Sequence, residues 1–198
     1  MRKLALFVAI LTASGLSAGV AFAQAAGEPN DHSVVVGHLG VGYFGEFDMG
    51  QVAVQQVGVR YWLRDNMGID GAVGLGVTGS SNAAGEFGIS ASGGLPISLF
   101  AGKHYTFIFE PLARLGYGTV NDRGGAANYW HLQVGATAGC EIQFGFIGIP
   151  QLALDAQVGL VFDIQGDNAG NTSEYFGTTI GAQPWDIFRS TVAAIYYF

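Results

Sequence analysis

The sequence predicts an all-β chain, an eight-stranded antiparallel up-and-down barrel that spans a membrane, behind a removable leader. Three observations carry this. Eight segments alternate apolar and polar residues with a period of two, the mark of strands with two unlike faces. Hydrophobic residues make up 49% of the 198 and charged residues only 12%, yet after residue 23 no run of about 18 apolar residues offers a spanning helix. In lipid only helices and closed barrels satisfy every backbone group, so an apolar chain without a spanning helix points to closure. Aromatic residues gather toward both ends of the segments, where two interfacial girdles would lie.

Residues 1–23 read as a secretory signal peptide. Arg2 and Lys3 form a basic start, residues 4–11 an apolar core, and Ala21-Phe22-Ala23 a small-residue cleavage pattern before Gln24. Residues 24–198 are then a single barrel domain, a length that suits one domain. Without Arg2 and Lys3, six basic residues face fifteen acidic ones, a net charge of −9. That balance argues against nucleic acid as a partner. Cys140 is the one cysteine, which excludes an intramolecular disulfide and a cysteine-based metal site.

The predicted strands cover 34–44, 53–63, 67–77, 87–99, 105–117, 130–144, 151–162 and 185–198. Strands of about ten residues or more cross an outer membrane when tilted. The connections at 45–50, 64–66, 101–104 and 145–149 are short. Those at 79–85, 121–128 and 165–184 are longer and rich in Gly, Asn, Asp and Ser. Short turns on one side and longer loops on the other are the outer-membrane pattern. Pro96 and Pro111 fall inside neighbouring strands. A closed barrel has no edge to hide a missing donor, so each is expected to mark a bulge.

In each segment one row is apolar and the other holds the few charges. The polar rows contain Arg60, Asp70, Glu110, Arg114, Glu141, Asp155 and Arg189. If these rows face a lumen, the charges must pair, because an unpaired buried charge costs several kcal/mol, roughly. The expected network joins arginines to carboxylates across the lumen, with Gln133, Gln143, Gln157 and His131 completing the hydrogen bonds. A soluble barrel would instead turn these rows to water. The girdle residues Tyr43, Phe87, Tyr117, Trp130, Phe162 and Trp185 at the loop side, and Tyr61, Tyr105 and Phe144 at the turn side, argue for the membrane arrangement.

The leader, the eight dyad segments, the girdles and the terminal Tyr196-Tyr197-Phe198 together resemble the small eight-stranded outer-membrane proteins, the OmpA-type transmembrane barrel and its opacity-type relatives. The resemblance covers the whole of 24–198. It implies a monomer in the bacterial outer membrane, surrounded by outer-membrane lipid and lipopolysaccharide. It also implies that Tyr196 and Phe198 of the last strand are read by the outer-membrane assembly machinery. OmpA itself continues into a peptidoglycan-binding domain, which has no counterpart here. The role implied is structural or one of surface interaction through the loops at 119–128 and 164–184. A narrow pore gated by lumen salt bridges is the alternative, and a lipid A-modifying enzyme a third.

Nothing in the residues favours the enzyme. A nucleophile needs an adjacent base, and neither His38-Leu39-Gly40 nor His131-Leu132-Gln133 carries the H-x-S pair of the deacylases that share this fold. Asp163, Asp167 and Glu174 lack the regular ligand spacing of a calcium loop. No cofactor and no metal are expected.

Overall fold

Alternation with period two puts successive side chains on opposite faces, and the chain uses it to close a sheet on itself. The computed structural model describes residues 30–49, 52–80, 83–122, 125–179 and 192–198. A short helix, α1 (Asp31–Val35), precedes strands β1 (Leu39–Asp48), β2 (Ala53–Arg64), β3 (Met67–Ser80), β4 (Ala83–Gly94), β5 (Ile97–Ala101), β6 (Tyr105–Asp122), β7 (Gly125–Phe144), β8 (Ile149–Asp167), β9 (Thr172–Thr178) and β10 (Val192–Tyr197). All strand pairs are antiparallel. β10 pairs with β1 on one side and β8 on the other, which closes a barrel of eight staves, with β4 and β5 sharing one.

The stagger of the barrel follows from its register. A row of paired residues runs from Phe162 through Val134, Ala113, Gly93, Gly71, Val59, Val41 and Tyr196, and returns to β8 at Leu152, ten residues from its start. With a rise of about 3.3 Å per residue and a strand spacing of about 4.8 Å, ten residues over eight strands correspond to a tilt of about 41°. A barrel of this size is just wide enough for side chains to fill it.

The polarity is that of a membrane barrel. Val57, Val73 and Val77 are 62%, 62% and 73% exposed, while Arg60, Glu141 and Asp155 are at most 1% exposed. The charged rows therefore face the lumen and the apolar rows face outward, which removes the soluble alternative.

Several predicted boundaries are corrected. The first strand begins at Leu39, not at 34, because Asn30 caps a helix by accepting from the Ser33 amide at 2.9 Å and Val35 turns inward, fully buried. The connection expected at 45–50 is largely strand. Phe44 and Gly45 together oppose Gln56, since Tyr43 pairs with Val57 and Glu46 with Gln55. This is a bulge, and Gly45 occupies the left-handed region with φ 82°. The extra residue reverses the parity of β1. Phe47 and Met49 consequently point inward and are buried, and Asp48 is exposed.

The prolines do not make bulges. β4 stops at Gly94 and β5 starts at Ile97, but Gly94 pairs with Leu112 and Ile97 with Phe109, so the register is unchanged across the gap. Pairing is interrupted at Leu95-Pro96 without an inserted residue. The Leu95 amide still donates to the Pro111 carbonyl at 3.0 Å, and the Gly68 amide to the Pro96 carbonyl at 2.8 Å. Pro111 itself stays in continuous register with Ala136 of β7.

The longer connections also change. β3 and β4 run up to residues 80 and 83, and β6 and β7 up to 122 and 125, so the expected loops there are mostly extended hairpin. Within the expected loop 165–184, β9 folds back along β8, pairing Gly166 with Thr172 and Leu160 with Thr178. Of the eighth predicted strand, 192–197 is strand and 185–191 lies outside the described residues.

The bulge yields a test. Gly45→Ala forces a β-carbon into the left-handed region, at a cost of about 1–2 kcal/mol. Urea unfolding of the barrel in lipid vesicles should show a lowered midpoint, and an unchanged midpoint would mean that the parity switch does not depend on the glycine.

Candidate functional site

The lumen holds the chain's buried chemistry, and it is organised around Arg60. Its guanidinium has five N–H donors, and all five are engaged. Nε and Nη2 donate to Asp70 at 2.9 and 2.6 Å, Nη2 also to Glu110 at 3.3 Å, and Nη1 to Glu141 at 2.6 Å and Asp155 at 2.9 Å. The partners come from β3, β6, β7 and β8, so one side chain of β2 ties five staves together. The carboxylates are held in turn. Gln157 donates to Glu110 and Asp155, both at 2.8 Å, and Gln143 to Glu141 at 2.7 Å. The Trp62 indole donates to the Tyr197 hydroxyl at 3.1 Å, which donates to Glu141 at 3.0 Å. Gly94 makes the room for Glu110, since a β-carbon there would collide with its carboxylate.

Toward the loop side, a second polar group sits above this one. His131 and the Gln133 amide both contact Asp163 Oδ1, each at 2.9 Å. Arg114 lies between the two groups with its guanidinium 5.9 Å over the Phe47 ring. A cavity of about 50 Å³ is lined by Arg60, Asp70, Glu110, Arg114, Asp155 and Gln157.

Apolar clusters cap the charges at both ends. At the loop side, Phe47, Met49, Val52 and Val54 from the β1–β2 hairpin fill the lumen, with Tyr129 packed against them. They fit because the facing positions are glycine. A β-carbon at Gly88 would crowd Val52 and Met49, and one at Gly116 would collide with Met49. At the turn side, Val35 of α1 joins Trp62, Ile108, Ala153, Ala193, Ile195 and Tyr197.

Helix α1 lies across this lower mouth. His32 is buried against the Trp62 ring at 4.5 Å, and its Nε2 contacts the Asp65 carbonyl at 2.8 Å. Asp31 accepts from the Gly145 amide at 3.0 Å and contacts His104 at 2.7 Å. Burial pushes the His32 imidazole below its ordinary value of 6.5, against the opposing pull of the Asp65 carbonyl. Its Nδ1 has no hydrogen-bond partner among the described residues, so a proton added there would be charged and unsatisfied.

Of the seven charges assigned to the lumen, Arg60, Asp70, Glu110, Glu141 and Asp155 form one group, Arg114 is inside but stands against Phe47, and Arg189 lies outside the described residues. Within the expected pairing across the lumen, Arg60 alone gathers four carboxylates. Asp163, just beyond the predicted end of the seventh strand at 162, is a buried lumen residue. Extending the alternation of the seventh segment beyond 162 would have found it, since 155, 157, 159, 161 and 163 share a face. The inward Phe47 and Met49 carry no such signal, because their parity depends on the bulge.

Tyr61, Phe87, Tyr105, Tyr117 and Trp130 of the girdles are exposed on the outer face, Tyr43, Phe144 and Phe162 are half-buried, and Trp185 lies outside the described residues. Tyr196 and Phe198 are exposed and packed edge to face at 5.1 Å. The Phe198 amide donates to the Leu39 carbonyl at 3.0 Å, so the last residue is tied to the first strand. Ser90 and Ser92, the inward serines, both contact Gln56.

These features make the chain a small transmembrane β-barrel of the outer-membrane type. It matches no protein-family model and no curated protein sequence. Among solved structures it is similar to Ail, the attachment invasion locus protein of Yersinia pestis, at 12% identity and a TM-score of 0.44, over 81% of this chain and 97% of that one. It is also similar to a major outer membrane protein from Thermus thermophilus, at 14% identity, a TM-score of 0.38 and the same two coverages. A third is the translocator domain of the autotransporter NalP from Neisseria meningitidis, at 17% identity and a TM-score of 0.36, over 71% of this chain and 56% of that domain.

Two outcomes follow from this geometry. Arg60→Met leaves four carboxylates without their shared cation and should cost about 3–5 kcal/mol of stability. Arg60→Lys keeps the charge but offers three donors instead of five, and should recover only part of it. A Lys variant with wild-type unfolding would show that charge alone matters. For His32 the sign is set by a folded value below the unfolded one. Above about pH 6.5 the imidazole is neutral in both states and stability is full, and below it the unfolded state takes up the proton first, so stability falls. The protection factors of the α1 amides, taken as hydrogen-exchange rates relative to the intrinsic rate at each pH, should fall on acidification from about pH 7.5 to about 5, and His32→Gln should flatten that change relative to wild type.

Proposed function

We propose that this chain is an integral protein of the bacterial outer membrane whose lumen is a structural plug rather than a path, and whose loop side serves surface interaction. Residues 1–23 would direct secretion and be removed, Tyr196 and Phe198 would be read during assembly, and the barrel would stand as a monomer in lipid and lipopolysaccharide. The observation that carries this reading is the sealing of the lumen at two levels: Phe47, Met49, Val52 and Val54 above Arg60, and Val35, Trp62, Ile195 and Tyr197 below it. An ion crossing would have to pass both apolar layers. The role is read as non-catalytic, since the inward serines are spent on Gln56 and His131 on Asp163.

The pore remains the second reading, favoured by the cavity of about 50 Å³ between Arg114 and the Arg60 group. Its opening would need the carboxylates to exchange partners and both stoppers to move.

Planar bilayers separate the two. The wild-type barrel should be silent across voltage, and Phe47→Gly with Met49→Gly should introduce conductance only if the lower stopper also yields. Steady wild-type channels would overturn the plug. In intact cells, a cysteine placed at Asn168 should react with a membrane-impermeant maleimide and one at Lys103 should not. The reverse pattern would overturn the assigned orientation.

A further inference from the structure

Above the loop-side stopper the lumen widens into a cup of about 500 Å³, within the range of small-molecule sites. Its floor is Met49, which is buried, and its wall is built by β7 and the β8–β9 hairpin: Tyr129, Asn128, Gln165, Thr172 and Ser173 all line it. The wall is held in shape from within. Gln165 and Ser173 are backbone partners, and the Asn168 amide donates to the Asn128 carbonyl at 3.0 Å. The Asp167 carboxylate accepts from the amides of Ala169 and Asn171, both at 2.9 Å, and from the Asn171 side chain at 2.8 Å. It is spent on its own turn.

The remaining groups are not. Among the described residues the side chains of Gln165 and Ser173, cross-strand partners on the lumen face, make no hydrogen bond, whereas Asn128 and Thr172 line the cup from the outward rows of their strands and the Tyr129 hydroxyl is buried over Gly118. A neutral amide and a neutral hydroxyl are thus presented beside an aromatic ring, over an apolar floor. No Lys or Arg lines the cup among the described residues, which disfavours an anion, and a hydrocarbon chain laid in it would leave the Gln165 amide and the Ser173 hydroxyl without partners. A peptide strand is usually taken by an open sheet edge, whereas this is a pit bounded by side chains.

We infer that the cup is a binding site for a short neutral saccharide. Its hydroxyls match the Gln165 amide and the Ser173 hydroxyl, and the less polar face of a sugar ring matches Tyr129 and Met49. The braced wall lowers the ordering cost of binding. This deepens the surface-interaction reading and rests on it for the assignment of the cup to the outer side. The saccharide could belong to neighbouring lipopolysaccharide or to a glycan on another cell, and the two sources share the neutral hexose chemistry.

The test uses the full barrel purified in a sugar-free detergent. Saturation-transfer NMR is run with neutral core oligosaccharide released from lipopolysaccharide, and in a second arm with lactose and maltotriose. Transfer to either arm, weakened at least tenfold in affinity by Gln165→Ala and by Ser173→Ala, is the expected result. The arm that responds identifies the source. Both variants leave the stoppers and the Arg60 group intact, and heat-modifiable gel migration checks that they fold. No transfer to either arm, or transfer that neither variant weakens, overturns the site. Because the measurement is made in solution, a negative result here with correct surface labelling in cells sinks the saccharide site alone. Binding combined with reversed labelling sinks the orientation instead.

Discussion

Everything in this molecule depends on the closed wall. Hydrocarbon offers backbone amides and carbonyls no partner, so each must find one within the sheet, and β10 completes the circuit by pairing with both β1 and β8. Closure with a stagger of ten residues sets the tilt and the width, and the width sets what the lumen can hold. Even the interruption at Leu95-Pro96 obeys the constraint. The register is preserved and the Gly68 and Leu95 amides still reach carbonyls, so the missing proline donor remains a local defect.

A lumen filled by side chains has to be complementary to itself. The inward glycines of β3, β4 and β6 face the inward Met49, Val52 and Val54, and Gly94 faces Glu110. The same logic gives Arg60 its place. A guanidinium is planar, always charged and carries five donors, and here each donor reaches a carboxylate from one of four other staves. The arrangement specifies register as much as it stabilises. Slipping β3, β7 or β8 by one residue would turn Asp70, Glu141 or Asp155 toward lipid and leave a donor unmet.

The two mouths differ in kind. The turn side is shut by α1, whose His32 is pushed toward its neutral form by burial and whose Asp31 reaches across to Gly145 and His104. The loop side is stoppered lower down, so that β7 and the β8–β9 hairpin stand above the stopper and enclose the cup. That asymmetry follows from the bulge at Gly45. Without the extra residue, Glu46 and Asp48 would share the inward face and the stopper would lose Phe47 and Met49.

The staves, their facing and the lumen charges were legible in the sequence by itself, because period-two alternation is a local property written into each segment. That was enough to bring Arg60, Asp70, Glu110, Glu141 and Asp155 to one side of the wall. What only the tertiary structure decided is where local periodicity breaks or leaves a choice. The valine run 34–36 reads as the start of a strand until the barrel floor accepts Val35 from a helix. The parity of Phe47 depends on which β2 residues pair with β1. The return of β9 along β8, and the meeting of four carboxylates on a single guanidinium, depend on the stagger. Alternation tells which face a side chain takes, whereas its height in the lumen and its partners across it are fixed only when the wall closes.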